Sequence, residues 1–147
     1  MAKMTAQMPD DIIENFRKLG DKIVNEVAPK MAQGGAEVLA EAIRANTEKH
    51  NRTGDLAQSV TVGKPKKDKN GVWRCSVYFK GKSKNVQGDD GAIRPRKTPV
   101  TNSSIAMHLE YGTSEQPATP IVRNALESSK SKIEGRIRYE FKREVGE

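Results

Sequence analysis

From Pro9 onward the apolar positions fall at helical spacing. Ile12, Ile13, Phe16, Leu19, Ile23 and Val27 recur at three- and four-residue steps and define one apolar face. Asp10 and Asp11 suit the first turn, where negative charge opposes the positive end of the helix dipole. Pro29 lacks an N–H and disfavours helix at Ala28, so a break or kink is expected there. A second helix is predicted from about residue 30 to residue 50, with the stripe Met31, Gly35, Val38, Leu39, Ala42 and Ile43. Gly34 and Gly35 would each cost about 1 kcal/mol against Ala. Their small size fits a close helix crossing, and equally well local flexibility beside Pro29. Residues 1–9 carry no pattern and are expected to fray.

The period changes at Thr53-Gly54-Asp55-Leu56-Ala57-Gln58-Ser59-Val60. Thr53 and Asp55 are good helix N-caps, and Gly54 can take a positive φ at little steric cost. Leu56 falls on one helical turn. From Ser59 the alternation is twofold, with Val60 and Val62 on one side and Ser59 and Thr61 on the other. The stretch therefore predicts a tight junction from helix to strand. Val72 to Lys80 is the clearest strand: Trp73, Cys75, Val77 and Phe79 alternate with Arg74, Ser76, Tyr78 and Lys80. Asn70-Gly71 before it is a hairpin signal, so residues 59–63 and 72–80 are expected to pair antiparallel through a long basic tip.

Residues 81–102 show no period and hold Gly81, Gly88, Gly91, Pro95 and Pro99. They are read as a long loop, with short strand character at most near Ala92–Ile93 or Pro99–Val100. Asn102 or Ser103 can cap a short helix through Ile105, Ala106, Leu109 and Tyr111, and Gly112 suits a left-handed closing position. Thr119-Pro120 offers a capping oxygen and then a proline at the first helical position. Ile121, Ala125, Ser129, Ile133, Ile137, Phe141 and Val145 then mark a long last helix. Gly135 weakens it, and residues 140–147 are expected to fray. The resulting expectation is an α+β fold in a single domain, 1–147. It has two N-terminal helices, a small antiparallel sheet with a long basic hairpin, a short helix and a long C-terminal helix.

Composition adds a wetted surface: 35% of residues are hydrophobic and 31% charged. A core mainly of Ile, Val, Leu and Ala follows from the scarcity of aromatics. Cys75 is the one cysteine, so no intrachain disulfide is possible, and its place in an alternating strand marks it as a small buried residue. No apolar run approaches the roughly 20 residues that span a bilayer, and no signal-peptide core follows Met1. A reducing cytoplasm is the expected place of synthesis, and no membrane is expected as a partner.

The net charge of +7 is concentrated in the middle of the chain. Between Lys64 and Lys97 lie Lys64, Lys66, Lys67, Lys69, Arg74, Lys80, Lys82, Lys84, Arg94, Arg96 and Lys97, opposed only by Asp68, Asp89 and Asp90. That stretch nets +8 and the remainder −1. One reading is non-specific contact with phosphates. The other is a solvated tip and loop that need charge to stay soluble. Trp73 and Phe79 read as core, which leaves Tyr78 as a stacking aromatic and argues against base-specific readout.

Catalytic constellations are missing. His108-Leu109-Glu110 is superficially like the His-x-Glu of zinc deaminases, but the Cys-x-x-Cys partner is absent. The alternative places His108 on a helix surface. No phosphate-binding loop, dinucleotide fingerprint or nucleophile elbow occurs. No catalytic residue, metal or cofactor is assigned.

Two motifs, in their order, resemble a known family. Thr53-Gly54-Asp55-Leu56-Ala57-Gln58-Ser59-Val60 resembles the Thr-Gly-x-Leu-x-x-Ser-(Ile/Val) signature of the minor tail-component family of long-tailed (siphovirus-type) bacteriophages. That family is named after a tail protein of the Hong Kong lambdoid phage. Glu110-Tyr111-Gly112-Thr113 matches its Glu-(Phe/Tyr)-Gly-Thr motif. Pro120 stands where the family opens its last helix, with Ile121 in place of the usual Phe. The resemblance covers about residues 12–130 and makes Thr53, Gly54, Leu56, Ser59, Glu110, Tyr111, Gly112, Thr113 and Pro120 structural-motif positions.

The resemblance implies a non-enzymatic virion protein of the head–tail junction or tail: a tail-completion, terminator or neck component. It implies a ring of copies, often sixfold, around the DNA path, assembled in the bacterial host cytoplasm. Its partners would be itself, neighbouring connector and tail proteins and, non-specifically, packaged double-stranded DNA. Lys64, Lys66, Lys67, Lys69, Lys80, Lys82, Lys84, Arg94, Arg96 and Lys97 are then candidates for lining the lumen or meeting the next ring. The competing readings are a small basic module that binds nucleic acid non-specifically, and a hydrolase or metal enzyme, which the missing ligands disfavour.

Overall fold

The computed structural model describes residues 9–50 and 53–146. The expected fraying of residues 1–9 therefore falls, apart from Pro9, outside the described residues. Helix α1 spans Asp10–Lys22, with Asp10 and Asp11 in its first turn. The chain does not break at Pro29. A π-helical turn, Ile23–Val27, carries it directly into α2, Ala28–Lys49. In that turn the Ala28 N–H reaches back to the Ile23 carbonyl, five residues earlier. The wider winding brings Pro29 into the first turn of α2, where a missing N–H costs little.

Helix α5, Ile121–Val145, lies antiparallel to α2. Lys30 pairs with Glu144 at 2.8 Å at one end. At the other, Asn46 Nδ2 donates to the Ile121 carbonyl at 3.2 Å. The contact is close because of the two glycines. A Cβ on Gly34 would meet Glu140 Cγ at 3.0 Å, and one on Gly35 would meet Ile137 at 3.3 Å. Of the two readings of Gly34-Gly35, the close crossing is the one realised. The helix does not fray at residue 140. Glu140 is only 3% exposed and is held by Arg136 at 3.0 Å, and winding continues to Val145. Gly135 interrupts nothing, and a Cβ there would meet no atom within 4 Å.

Short strands fill the middle. β1 (Val60–Val62) pairs antiparallel with β4 (Val77–Phe79), Val60 opposite Phe79. β2 (Lys66–Lys67) pairs with β3 (Trp73–Arg74) nearer the tip. The predicted hairpin is present, with Gly71 at φ 79° in its turn. The single strand expected over 72–80 is split, since Cys75 and Ser76 fall between β3 and β4. The twofold alternation nevertheless holds: Trp73, Cys75, Val77 and Phe79 are half-buried, and Arg74, Ser76, Tyr78 and Lys80 exposed. Trp73 and Cys75 are thus shielded rather than core. Trp73 Nε1 donates to the Val24 carbonyl at 2.7 Å, and the Cys75 thiol to the Gly63 carbonyl at 3.2 Å.

The long loop expected over 81–102 is a second hairpin. β5 (Lys82–Gln87) pairs antiparallel with β6 (Ile93–Thr101) around a Gly88–Gly91 turn, with a register shift between Ser83 and Asn85. Pro95 and Pro99 conceal the strand in the sequence. Among the described residues β6 pairs only with β5, so its other edge is free, and Pro99 falls in the register shift, between Pro95 opposite Asn85 and Val100 opposite Ser83.

Among the described residues two small clusters form the core. Ala40, Ile43, Val60 and Ala125 join α2, β1 and α5. Leu56, Ala106 and Ile121 join the five-residue helix α3 (Asp55–Ser59), α4 (Asn102–Tyr111) and the start of α5. The core of Ile, Val, Leu and Ala expected from composition is realised, and the fold is α+β as read from the sequence.

Candidate assembly and nucleic-acid surface

The motif residues build one joint. Gly54 precedes α3 at φ 87°, a conformation that favours glycine, and Thr53 Oγ1 accepts from the Asp55 N–H at 3.4 Å. Leu56 is buried in the joint's core. Ser59 Oγ donates to the Leu56 carbonyl at 2.6 Å as α3 gives way to β1. The Asp55 carboxylate reaches forward to accept from Ser83 Oγ at 2.7 Å, tying the joint to the second hairpin.

Glu110 closes the joint from the other side. Its carboxylate accepts the Val122 N–H at 2.8 Å and the Arg123 N–H at 3.1 Å, capping α5 from a separate helix. Thr119 was the expected cap, but α5 has no side-chain cap at its own N-terminal boundary, where Pro120 stands just outside the first turn. α4 is capped by Thr101, whose Oγ1 accepts the Ser104 N–H at 3.2 Å, one residue earlier than expected. Gly112 has φ 75° and ψ 178°, an extended left-handed conformation rather than a helical one, and a Cβ there would lie 2.7 Å from the Ala118 nitrogen. Thr113 Oγ1 accepts the Gln116 N–H at 3.1 Å and folds the loop back toward α5. Tyr111 is different: it is 70% exposed.

The basic residues do not form one patch. Lys66 and Lys67 lie on β2, Lys64 just before it and Lys69 in the turn beyond. The Trp73 bond to Val24 places that tip toward the α1 end of the molecule. Lys80, Lys82 and Lys84 lie at the opposite end, where Asn102 Nδ2 donates to the Lys80 carbonyl at 2.9 Å. The three lysines line an open groove with Asp55, Gln58 and Asn102. Arg94 and Arg96 sit along β6. Arg94 is paired with Asp90, and Arg96 Nε donates to the Asn85 carbonyl at 2.9 Å. Lys97 is exposed on the same strand. Among the described residues none of the eight lysines, Lys97 included, makes an ion pair, so their charge faces solvent.

The acids nearby are committed elsewhere. Asp68 accepts from the Val72 N–H and the Asn70 N–H, and pairs with Arg74 at 2.9 Å. The Val72 bond first, then the Arg74 and Asn70 bonds, hold its carboxyl below the usual carboxylate range, against the opposing effect of burial. The Arg94 side chain, then the Ala92 N–H, does the same for Asp90. Burial, with a smaller push from the Glu37 charge, raises the Cys75 thiol, which suits an inert residue. His108 is exposed on α4, and Glu110 beside it is engaged as a cap. No cluster of three or more His, Cys, Asp or Glu side chains with metal-binding geometry occurs among the described residues. No described helix is long and apolar enough to cross a membrane.

Comparison with known proteins agrees with the motifs. A family model described as "Bacteriophage HK97-gp10, putative tail-component" matches residues 10–112, more than two thirds of the chain. Searches of curated proteins and of solved structures gave no match. The matched span runs from the start of α1 to Gly112 and so includes both the Thr53–Ser59 junction and the Glu110–Gly112 closure. With its motifs assembled into one joint and the family match extending across it, the chain belongs to the HK97-gp10-like family of bacteriophage tail components.

Proposed function

We propose that this chain is a non-catalytic structural component of the head–tail junction or tail, and that copies of it close into a ring around the DNA path. The observation that carries the reading is the set of eight lysines that have no acidic partner among the described residues, spread over the two hairpins and the link between them. Phosphate contacts made by such lysines carry no sequence information, so a lumen lined by them would let DNA slide. The exposed hairpins also offer surfaces to adjoining layers of connector or tail proteins. Assembly would take place in the host cytoplasm and end in the virion.

Neutralising the tip as Lys64→Gln, Lys66→Gln, Lys67→Gln and Lys69→Gln tests this in the phage or prophage that carries the gene. The expected result is particles that lose DNA or heads that fail to join tails, seen by electron microscopy. Normal yields of infectious particles would count against the reading. The alternative, a stand-alone nucleic-acid module, predicts instead that the purified monomer binds duplex DNA with a steep salt dependence.

A further inference from the structure

We propose that the first hairpin straps α1 to the body of the protein. The Trp73 indole holds the π-helical turn from which α1 departs, so that α1 and the hairpin's basic tip move as one unit. The inference goes beyond the ring reading and holds whether or not copies close into a ring.

Helix α1 buries none of its residues, so its direction is set where the chain leaves it, at Ile23–Val27. Val27 is fully buried and anchors that turn on its inner side. The other hold is on a carbonyl that the helix itself cannot satisfy. In an α-helix the Val24 carbonyl would accept the N–H of residue 28, and in a π-helix that of residue 29. The Ala28 N–H is used by the Ile23 carbonyl, and Pro29 has no N–H to give. Trp73 fills the place: its Nε1 donates to the Val24 carbonyl at 2.7 Å from 49 positions along the chain. Trp73 is half-buried, and a shielded indole N–H needs an acceptor. Each group thus meets the other's need.

The winding is tied to the bond. A π-turn holds one residue more than an α-helical turn, which sets the faces of α1 about 100° from where an unbroken α-helix would carry them. With the turn wound as an α-helix, the Ala28 N–H would take the Val24 carbonyl and displace the indole. The carbonyl left unmet would then be that of exposed Asn25, against which the Pro29 ring would press. The two windings are discrete, and Trp73 bonds to only one of them.

The same residue belongs to the basic tip. Trp73 lies opposite Lys67 and Arg74 opposite Lys66. Asp68 closes the turn between the strands by accepting the Asn70 and Val72 N–H groups. A ligand or neighbour that displaces the tip therefore acts on α1, and one that turns α1 acts on the tip, because coupling between two sites is reciprocal.

The test uses isotope-labelled full-length protein and NMR. Trp73→Phe keeps a ring and removes the donor. Residual dipolar couplings of the α1 amides should lose magnitude as the helix comes loose, while those of α2 and α5 keep their wild-type values. Tyr78→Phe, a change at an exposed position of the same hairpin, should leave all of them unaltered. Pro29→Ala restores the missing N–H and lets the turn wind as an α-helix. The Trp73 indole N–H should then move to the chemical shift of a free indole and exchange faster with water, and the Lys66 and Lys67 amides should shift with it. Unchanged α1 couplings in Trp73→Phe, or an equal loss in Tyr78→Phe, overturn the strap. An unmoved indole resonance in Pro29→Ala overturns it as well, and decides alone if Trp73→Phe disturbs α2 and α5.

Discussion

Replacing Glu110 by Ala should remove the side-chain cap of α5 while leaving the apolar core untouched. The carboxylate accepts two backbone N–H groups, Val122 at 2.8 Å and Arg123 at 3.1 Å, and no other side chain among the described residues caps that end. Losing an N-cap costs about 1 kcal/mol, and losing a negative charge at a helix N-terminus a further ~0.3–1 kcal/mol. Val122 is half-buried, so water replaces its lost bond poorly, whereas exposed Arg123 is rehydrated readily. The expected loss for Glu110→Ala is therefore about 2–3 kcal/mol, or a fall in Tm of roughly 6–10 °C in a chain of this size. Glu110→Gln keeps an acceptor oxygen without the charge and should lose about 1 kcal/mol. Glu115→Ala removes a carboxylate in the exposed loop nearby and should stay within about 0.5 kcal/mol of wild type. Urea and thermal unfolding followed by circular dichroism measure all three. A Glu110→Ala protein as stable as the Glu115→Ala control would refute the cap.

Two of the helical glycines, Gly34 and Gly135, should respond in opposite directions. Gly34→Val drives a branched side chain into Glu140 and Arg136 and should destabilise by about 2–3 kcal/mol. Gly135→Ala meets nothing and should stabilise by up to about 1 kcal/mol in the same unfolding assay. Because the folded-state pKa of Asp68 is depressed, its hold on the hairpin turn is complete above the usual carboxylate range. It is lost as pH falls through the lower, folded value. The Asn70 and Val72 amide resonances should therefore titrate below the range of a free aspartate and stop titrating in Asp68→Asn; a midpoint at the ordinary aspartate value would contradict this.

The helices were legible because their signals are local: Asp10-Asp11 at a start, fourfold spacing along α5, glycine where two helices cross. What the sequence hid is non-local. The cap of α5 comes from Glu110, eleven positions before the helix begins, and no spacing rule reaches across the loop between them. Strand β6 was obscured because Pro95 and Pro99 argue against a strand unless it is known to have a free edge. Glu140 reads as a solvated helix residue, yet Gly34 leaves the room in which it is buried against α2. The lysine run showed how much charge there is, but not that the hairpins divide it between the two ends of the α2/α5 pair. Tyr111 could be placed in a motif, and only the fold reveals that its ring is turned outward.

Native mass spectrometry with negative-stain imaging of the purified full-length protein tests the central claim most directly. A closed ring of one defined copy number, with a central opening wide enough for duplex DNA, is the predicted result. A species that remains monomeric at the highest attainable concentration, binding DNA on its own, would contradict it.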